Sequence, residues 1–285
     1  MLDHVMIKVS SHVLGERIFE RLGFKLRGVR GNEPMGGGPN GGEGGSNIAV
    51  LTSRTPECAN YLEFSYADPL FASPVMRHHL GGDPGVAMLV FSSSDCDAAY
   101  TRWKEAGIAI KAPLAVTFPA KAGAAGQTMK IAIAEIEDAP IPCNVLQFAT
   151  LAEFDAPGLR DHPNTAHRWT TATVVASGDA FERTCEQFSR RLMVQPIVKR
   201  DERLFENAGV DVRVLTSDAA ESYFADLDMR SPGAAYVAAL TVSVRSMDAL
   251  KACLSENGVP FLERAGAVMV SAKNAGGVIL EFKPA

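Results

Sequence analysis

The sequence predicts an α+β fold in which four βαβββ modules pair into two curved-sheet cups with helices outside. Three observations predict it. An apolar strand, a capped helix, a closing glycine and further strands recur in the same order along the chain. The distance from strand end to closing glycine repeats, with Val9 to Gly23 and Val244 to Gly258 each spanning 14 positions. The closing segment Ile279-Leu280-Glu281-Phe282-Lys283-Pro284-Ala285 echoes Tyr61-Leu62-Glu63-Phe64-Ser65-Tyr66-Ala67.

The first module begins at once. Val5 to Val9 is a β-branched apolar run suited to a buried strand. Ser10-Ser11 offers an N-cap, and Leu14, Ile18, Phe19 and Leu22 share one helical face. Gly23 can take positive φ at the helix end. Phe24 to Arg27, Asn47 to Leu51 and Tyr61 to Phe64 then read as strands. In the second module Val86 to Phe91 is a strand, Ser92 to Asp95 supplies caps, and Ala98 to Ala106 is a helix closed by Gly107. Ile108 to Ile110, Met129 to Ile136 and Asn144 to Phe148 complete it. The third module is the weakest: Thr170 to Ala176 is a strand and Ala180 to Leu192 a helix without a closing glycine. Val210 to Thr216 follows, and a short fourth strand is expected near Tyr223-Phe224. In the fourth, Ala238 to Val244, the helix Met247 to Glu256 capped by Ser246, Gly258, and strands at Val259 to Leu262, Ala267 to Ala272 and Val278 to Phe282 restore the full pattern.

One such module cannot bury both faces of its sheet, whereas two side by side can curl into a cup. The 285 residues therefore divide into a first domain at 1–155 and a second at 160–285, cut near Asp155-Ala156-Pro157-Gly158. Net charge is -5 and no Lys/Arg-rich run occurs, so nucleic acid is not the expected partner. The chain lacks a transmembrane-length apolar run and a signal-peptide pattern, so a cytoplasmic protein is expected. Five widely spaced cysteines without a CxxC pair read as free thiols. Cys58 and Cys143 have no evident His partner for nucleophilic catalysis.

Leu2-Asp3-His4-Val5 on the first strand, Gly44-Gly45-Ser46-Asn47 entering the third, Tyr61-Leu62-Glu63 on the fourth and His162-Pro163-Asn164 after the linker resemble the vicinal oxygen chelate superfamily, in its glyoxalase-like domain branch. The resemblance implies a divalent metal inside a cup, held by first- and fourth-strand residues of paired modules. By resemblance His4 and Glu63 fall on two ligand positions, and zinc, iron, manganese, nickel or cobalt would suit them. A carboxylate amid Tyr-Leu-Phe is costly to bury unless paired or coordinated. The second module departs from the pattern, with Val86, Ala87 and Met88 where a His is expected and Gln147 in place of a Glu. The second pair of modules has Glu281 at the Glu63 position but Thr170 and Ala239 at the histidine positions. Its cup is expected to be closed by apolar residues, and Glu281, if buried, needs a hydrogen-bond or cationic partner.

Two readings stand beside each candidate. His4 is a ligand or general base, or a strand histidine bonded in the rim. Glu63 is a ligand or the base next to a carbonyl, or a carboxylate paired with Arg or Lys. Asn47, Gln147, His162 and Asn164 are candidate substrate-pocket residues; in the other reading Asn47, His162 and Asn164 satisfy turns, and Gln147 joins His4 and Glu63 in holding a metal weakly. The glycine run from Gly36 to Gly45 is a candidate lid or a plain hairpin tip. His78-His79 reads as surface loop, since neighbours on an extended chain point apart. The expected function is a lyase- or isomerase-like enzyme acting on a small oxygen-rich substrate in the first cup. The alternatives are a metal-free drug-binding protein and, less favoured, an extradiol-type dioxygenase. Trp103 and Trp169 lie in no aromatic stripe, which disfavours planar-drug binding. The expected partner is a small-molecule substrate, and a homodimer is left open.

Overall fold

The computed structural model describes residues 1–30, 44–67, 83–119, 128–136, 141–149, 158–229 and 233–285. Most of the glycine run (Gly36 to Gly42), His78-His79 and the cut at Asp155 to Pro157 lie outside the described residues.

The first module comprises β1 (Leu2–Lys8), α1 (His12–Arg21), β2 (Arg27–Arg30), β3 (Gly44–Val50) and β4 (Tyr61–Ala67). The second comprises β5 (Gly85–Ser92), α2 (Cys96–Glu105), β6 (Leu114–Pro119), β7 (Thr128–Ile136) and β8 (Cys143–Phe148). The third has β9 (Ala166–Ala176), α3 (Asp179–Leu192), β10 (Ile197–Lys199), β11 (Glu202–Phe205) and β12 (Asp211–Thr216), followed by an extra helix, α4 (Ser217–Tyr223). The fourth has β13 (Ala235–Val244), α5 (Met247–Glu256), β14 (Leu262–Arg264), β15 (Ala267–Val270) and β16 (Ile279–Pro284). Tyr223-Phe224 thus ends a helix rather than forming a strand, and the fourth strand of the third module is β12.

Side-chain caps start three of the module helices. Ser11 Oγ accepts from the Leu14 amide, Asp95 Oδ1 from Ala98 and Ser246 Oγ from Ala249. The same three helices end alike. Phe24, Ile108 and Val259 donate their amides back to Phe19, Trp103 and Leu254 across a glycine at positive φ. That bond explains why strands expected to resume immediately after the glycine begin later. Phe24 and Ile108 are committed to the helix cap, so β2 starts at Arg27 and β6 at Leu114, with Ile110 making an isolated bridge to Ile136. Helix α3, which has no closing glycine, ends on Met193 in the left-handed region.

Each pair of modules builds one eight-stranded sheet. The first runs β2-β3-β4-β1-β5-β8-β7-β6 and the second β10-β11-β12-β9-β13-β16-β15-β14, the same topology twice. Within a module the first and fourth strands run parallel, and the two modules join antiparallel through β1–β5 or β9–β13. The helix-bearing faces of both sheets share one hydrophobic core that includes Val5, Phe64, Leu89, Trp169, Val242 and Phe282. Phe24 and Phe282 meet across the domains at 6.3 Å between ring centroids. Arg21 donates to the Asn257 and Gly258 carbonyls, and Asn257 Nδ2 donates back to Arg21 O. Separate apolar clusters line the concave faces. Among the described residues no helix is long and apolar enough to cross a membrane.

Candidate functional site in the first cup

Strand alternation assigns each residue to one face of the sheet. Val5 and Ile7 face the shared core, so His4 and Met6 face the concave side. The strand register defines the matching positions of the second module. His4 pairs with Val90 and Met6 with Met88, so a local two-fold axis exchanges position 4 with 88 and position 6 with 90. Glu63 pairs with Met6, and the residue paired in the same sense with Val90 is Asn144. The four symmetry-related cup positions are therefore His4, Glu63, Met88 and Asn144.

His4 is almost fully buried, and its ring stacks on Tyr61 with centroids 4.1 Å apart and planes at 16°. Its Nδ1 lies 2.8 Å from Asp3 Oδ1. Asp3 Oδ2 accepts the Ala59 amide at 2.8 Å. Burial raises the Asp3 carboxyl pKa, but the bonds and charge from His4 and the Ala59 amide more than offset this and hold it below its ordinary value. A carboxylate only accepts, so Nδ1 carries the imidazole proton and Nε2 has no hydrogen-bond partner among the described residues. Asn60, in the left-handed region at φ 46°, bonds Trp169 through both amide ends and fixes the loop that presents Ala59.

Glu63 is half-buried on the same face as His4, and its Oε1 accepts from Ser65 Oγ at 3.0 Å, with Ser65 Oγ itself 2.7 Å from Ser46 Oγ. Asn144 is buried, and its Oδ1 has no hydrogen-bond partner among the described residues. Sequence reasoning missed Asn144. The signal was strand parity, because Asn144 and Gln147 are three apart and so face opposite ways.

The four expected pocket residues each bond another part of the chain. Gln147 faces the helix layer, where its Oε1 accepts the Cys96 amide at the start of α2 (2.9 Å). Asn47 shares a face with Phe64 and reaches His12 Nε2 on α1 at 3.3 Å. His162 accepts the Lys25 amide at Nδ1 (3.0 Å) and donates from Nε2 to Val50 O (2.8 Å), and burial lowers its pKa. Both ring nitrogens are thus consumed by backbone. Asn164 is fully buried, with Nδ2 on Leu22 O and Oδ1 on the Ala166 amide. These residues fasten the frame around the cup. A purely local reading could not separate the two cases, because the partners are up to 142 residues away.

A family model for a glyoxalase-like domain matches residues 2–192. The chain belongs to the glyoxalase-like domain family. No curated protein matches it in sequence. Among solved structures, a hypothetical protein from Staphylococcus aureus is similar over 100% of this chain and 99% of its own, with TM-score 0.65 and 10% identity. A substituted variant of 4-hydroxymandelate synthase from Streptomyces coelicolor is similar over 99% and 91%, with TM-score 0.65 and 13% identity. The 2,3-dioxygenase LapB from Pseudomonas sp. KL28 is similar over 100% and 91%, with TM-score 0.59 and 12% identity. At these identities the likeness is one of fold alone.

In this glyoxalase-like chain the second cup is sealed from within. Helix α4 and the turn after it insert Ala220, Phe224 and Leu227 against Ala238, Ala239, Met269 and Ile279. Ala239 pairs with Thr173 and Thr241 with Thr171, so the register places Thr171, rather than Thr170, at the second histidine position. Glu281 and Arg213 then occupy the two fourth-strand positions. Glu281 is fully buried and accepts from Tyr223 Oη and from Thr241 Oγ1 (2.6 Å), with Lys283 Nζ at 3.0 Å and Arg213 Nη2 at 4.0 Å. Burial raises the Glu281 pKa, and these partners outweigh it to leave the carboxyl below its ordinary value. An internal ion pair stands at the positions where the resemblance would place metal ligands.

The first cup fits a divalent metal poorly. His4 Nε2 and Glu63 offer an imidazole and a carboxylate, but Met88 offers a thioether and Asn144 a neutral amide. Among the described residues no group of three His, Cys, Asp or Glu side chains comes together to hold an ion. All five cysteines are free and buried, and burial raises Cys58 and Cys185 to about 12 and Cys96 to about 11, so none is a thiolate nucleophile.

Proposed function

We propose that this protein is an enzyme of lyase or isomerase type that moves a proton on a small oxygen-rich substrate bound in the first cup. The observation that carries the reading is the His4 imidazole, clamped by Asp3 and Tyr61 with Nε2 unpartnered among the described residues, beside the Glu63 carboxylate on the same concave face. A neutral imidazole and a carboxylate are the groups that take a proton from carbon next to a carbonyl. Asn144 supplies an amide for the substrate's oxygen. No step is routed through a metal, because only two of the four cup positions carry a metal-type donor. Planar-drug binding has less support, since Trp103 and Trp169 belong to the helix-side core rather than a cup.

The test is solvent exchange. In D2O, α-hydroxy carbonyl compounds and thiol hemiacetals should acquire deuterium at the carbon next to the carbonyl, followed by NMR. His4→Ala and Glu63→Gln should each slow exchange by about 100-fold or more, and chelator treatment should leave it unchanged. No exchange across that panel, or exchange abolished by chelator and restored by a metal, would overturn the reading.

A further inference from the structure

The pairing of β1 with β5 shifts between Leu2 and His4, leaving Asp3 as the extra residue of a β-bulge. A bulge sets two successive side chains against one partner residue and re-aims them. That is how adjacent strand residues, which ordinarily point to opposite faces, bring Asp3 and His4 together at 2.8 Å. The same bulge recurs immediately before the matching position of every other module, at Ala87-Met88, Thr170-Thr171 and Ala238-Ala239. The bulge therefore belongs to the fold, and the carboxylate–imidazole pair belongs to the first module alone. Asp3 is fully buried, and each of its oxygens has a separate donor, the Ala59 amide and the His4 ring.

We infer that Asp3 is a positioning residue, which locks His4 in the Nδ1–H tautomer and makes Nε2 a metal-independent base facing the first cup. The inference rests on the proton-transfer reading of that cup. In the step, the Nε2 lone pair takes a proton from a substrate carbon, and the electron pair of the broken C–H bond moves to the neighbouring carbonyl oxygen. The Asp3 carboxylate balances the imidazolium charge, and Nε2 then returns the proton to the substrate. No oxidant or further reactant is needed. The arrangement orients a histidine through a buried carboxylate, a general way of fixing tautomer and basicity.

Asp3→Asn gives a sharp test. The Ala59 amide can only donate, so it claims the asparagine oxygen and leaves the asparagine NH2 facing His4 Nδ1. The ring must then carry its proton on Nε2. Nitrogen-15 NMR of the full chain, with His4 assigned by comparison with His4→Gln, reads the tautomer without any substrate. We expect Nδ1–H in the wild type, Nε2–H in Asp3→Asn, and at least a tenfold slower acylation of His4 by diethyl pyrocarbonate in the variant at unchanged circular dichroism. A purely structural clamp would leave the acylation rate unchanged. A wild-type Nε2–H tautomer, an unaltered tautomer in Asp3→Asn, or an unchanged acylation rate would overturn the inference. If Asp3→Asn does not fold, the wild-type tautomer decides alone. A correct tautomer without any deuterium exchange would sink the proton-transfer reading and leave the positioning of His4 standing.

Discussion

Asn144 holds an amide oxygen in the interior of the first cup without a hydrogen-bond partner among the described residues. Leaving a buried acceptor unmade costs about 1–3 kcal/mol. An apolar residue of similar volume should therefore stabilise the fold. Asn144→Leu is expected to raise unfolding free energy by about 1 kcal/mol in urea titrations, while reducing turnover in the exchange assay. A loss of stability would show that the amide is bonded after all and serves packing. His162 and Asn164 are the opposite case. Each has its polar atoms paired with backbone, so each has a structural task that is complete without a ligand.

Among the elements, β16 shows how one motif diverged in use. Leu-Glu-Phe occurs on β4 and on β16, and in both the glutamate faces the concave side. On β4 the carboxylate is bonded to a serine and half-buried. On β16, α4 covers the glutamate and Tyr223 binds it. Because the folded Glu281 carboxyl lies below its ordinary value, its contribution to stability is full above the unfolded value near about 4.3. It is lost as pH falls through the folded one. Glu281→Gln should thus cost about 1.5–3 kcal/mol near neutral pH, with the gap to wild type closing in acid. Denaturation curves at pH 7 and at pH 3 check this, and a gap that stays constant between them would contradict the assignment.

At the scale of the whole molecule, the helix faces of the two sheets share one core, so neither half buries its apolar surface alone. Gly23 illustrates how closely they pack. It ends α1 at φ 82°, and a Cβ there would come within 2.5 Å of Cys253 Sγ in the other half. Calorimetry should therefore show a single unfolding transition, and residues 1–155 expressed alone should aggregate. Two separable transitions would mean that the shared core is not needed for either sheet.

The sequence by itself determined what is local or periodic: the repeating modules, the caps at Ser11, Asp95 and Ser246, the glycines that close three helices, and the placing of His4 and Glu63 on first and fourth strands. Strand period and cap chemistry depend on neighbours a few residues apart, so they can be read without the fold. Tertiary structure alone decided which face each strand residue presents and what it meets there. It turned Gln147 and Asn47 towards the helices, brought Asn144 into the cup, and made Tyr223 part of a plug rather than a strand. The physical reason is register. A single bulge or a step of one residue exchanges the faces of a strand, and register is set by pairing between segments far apart in the chain.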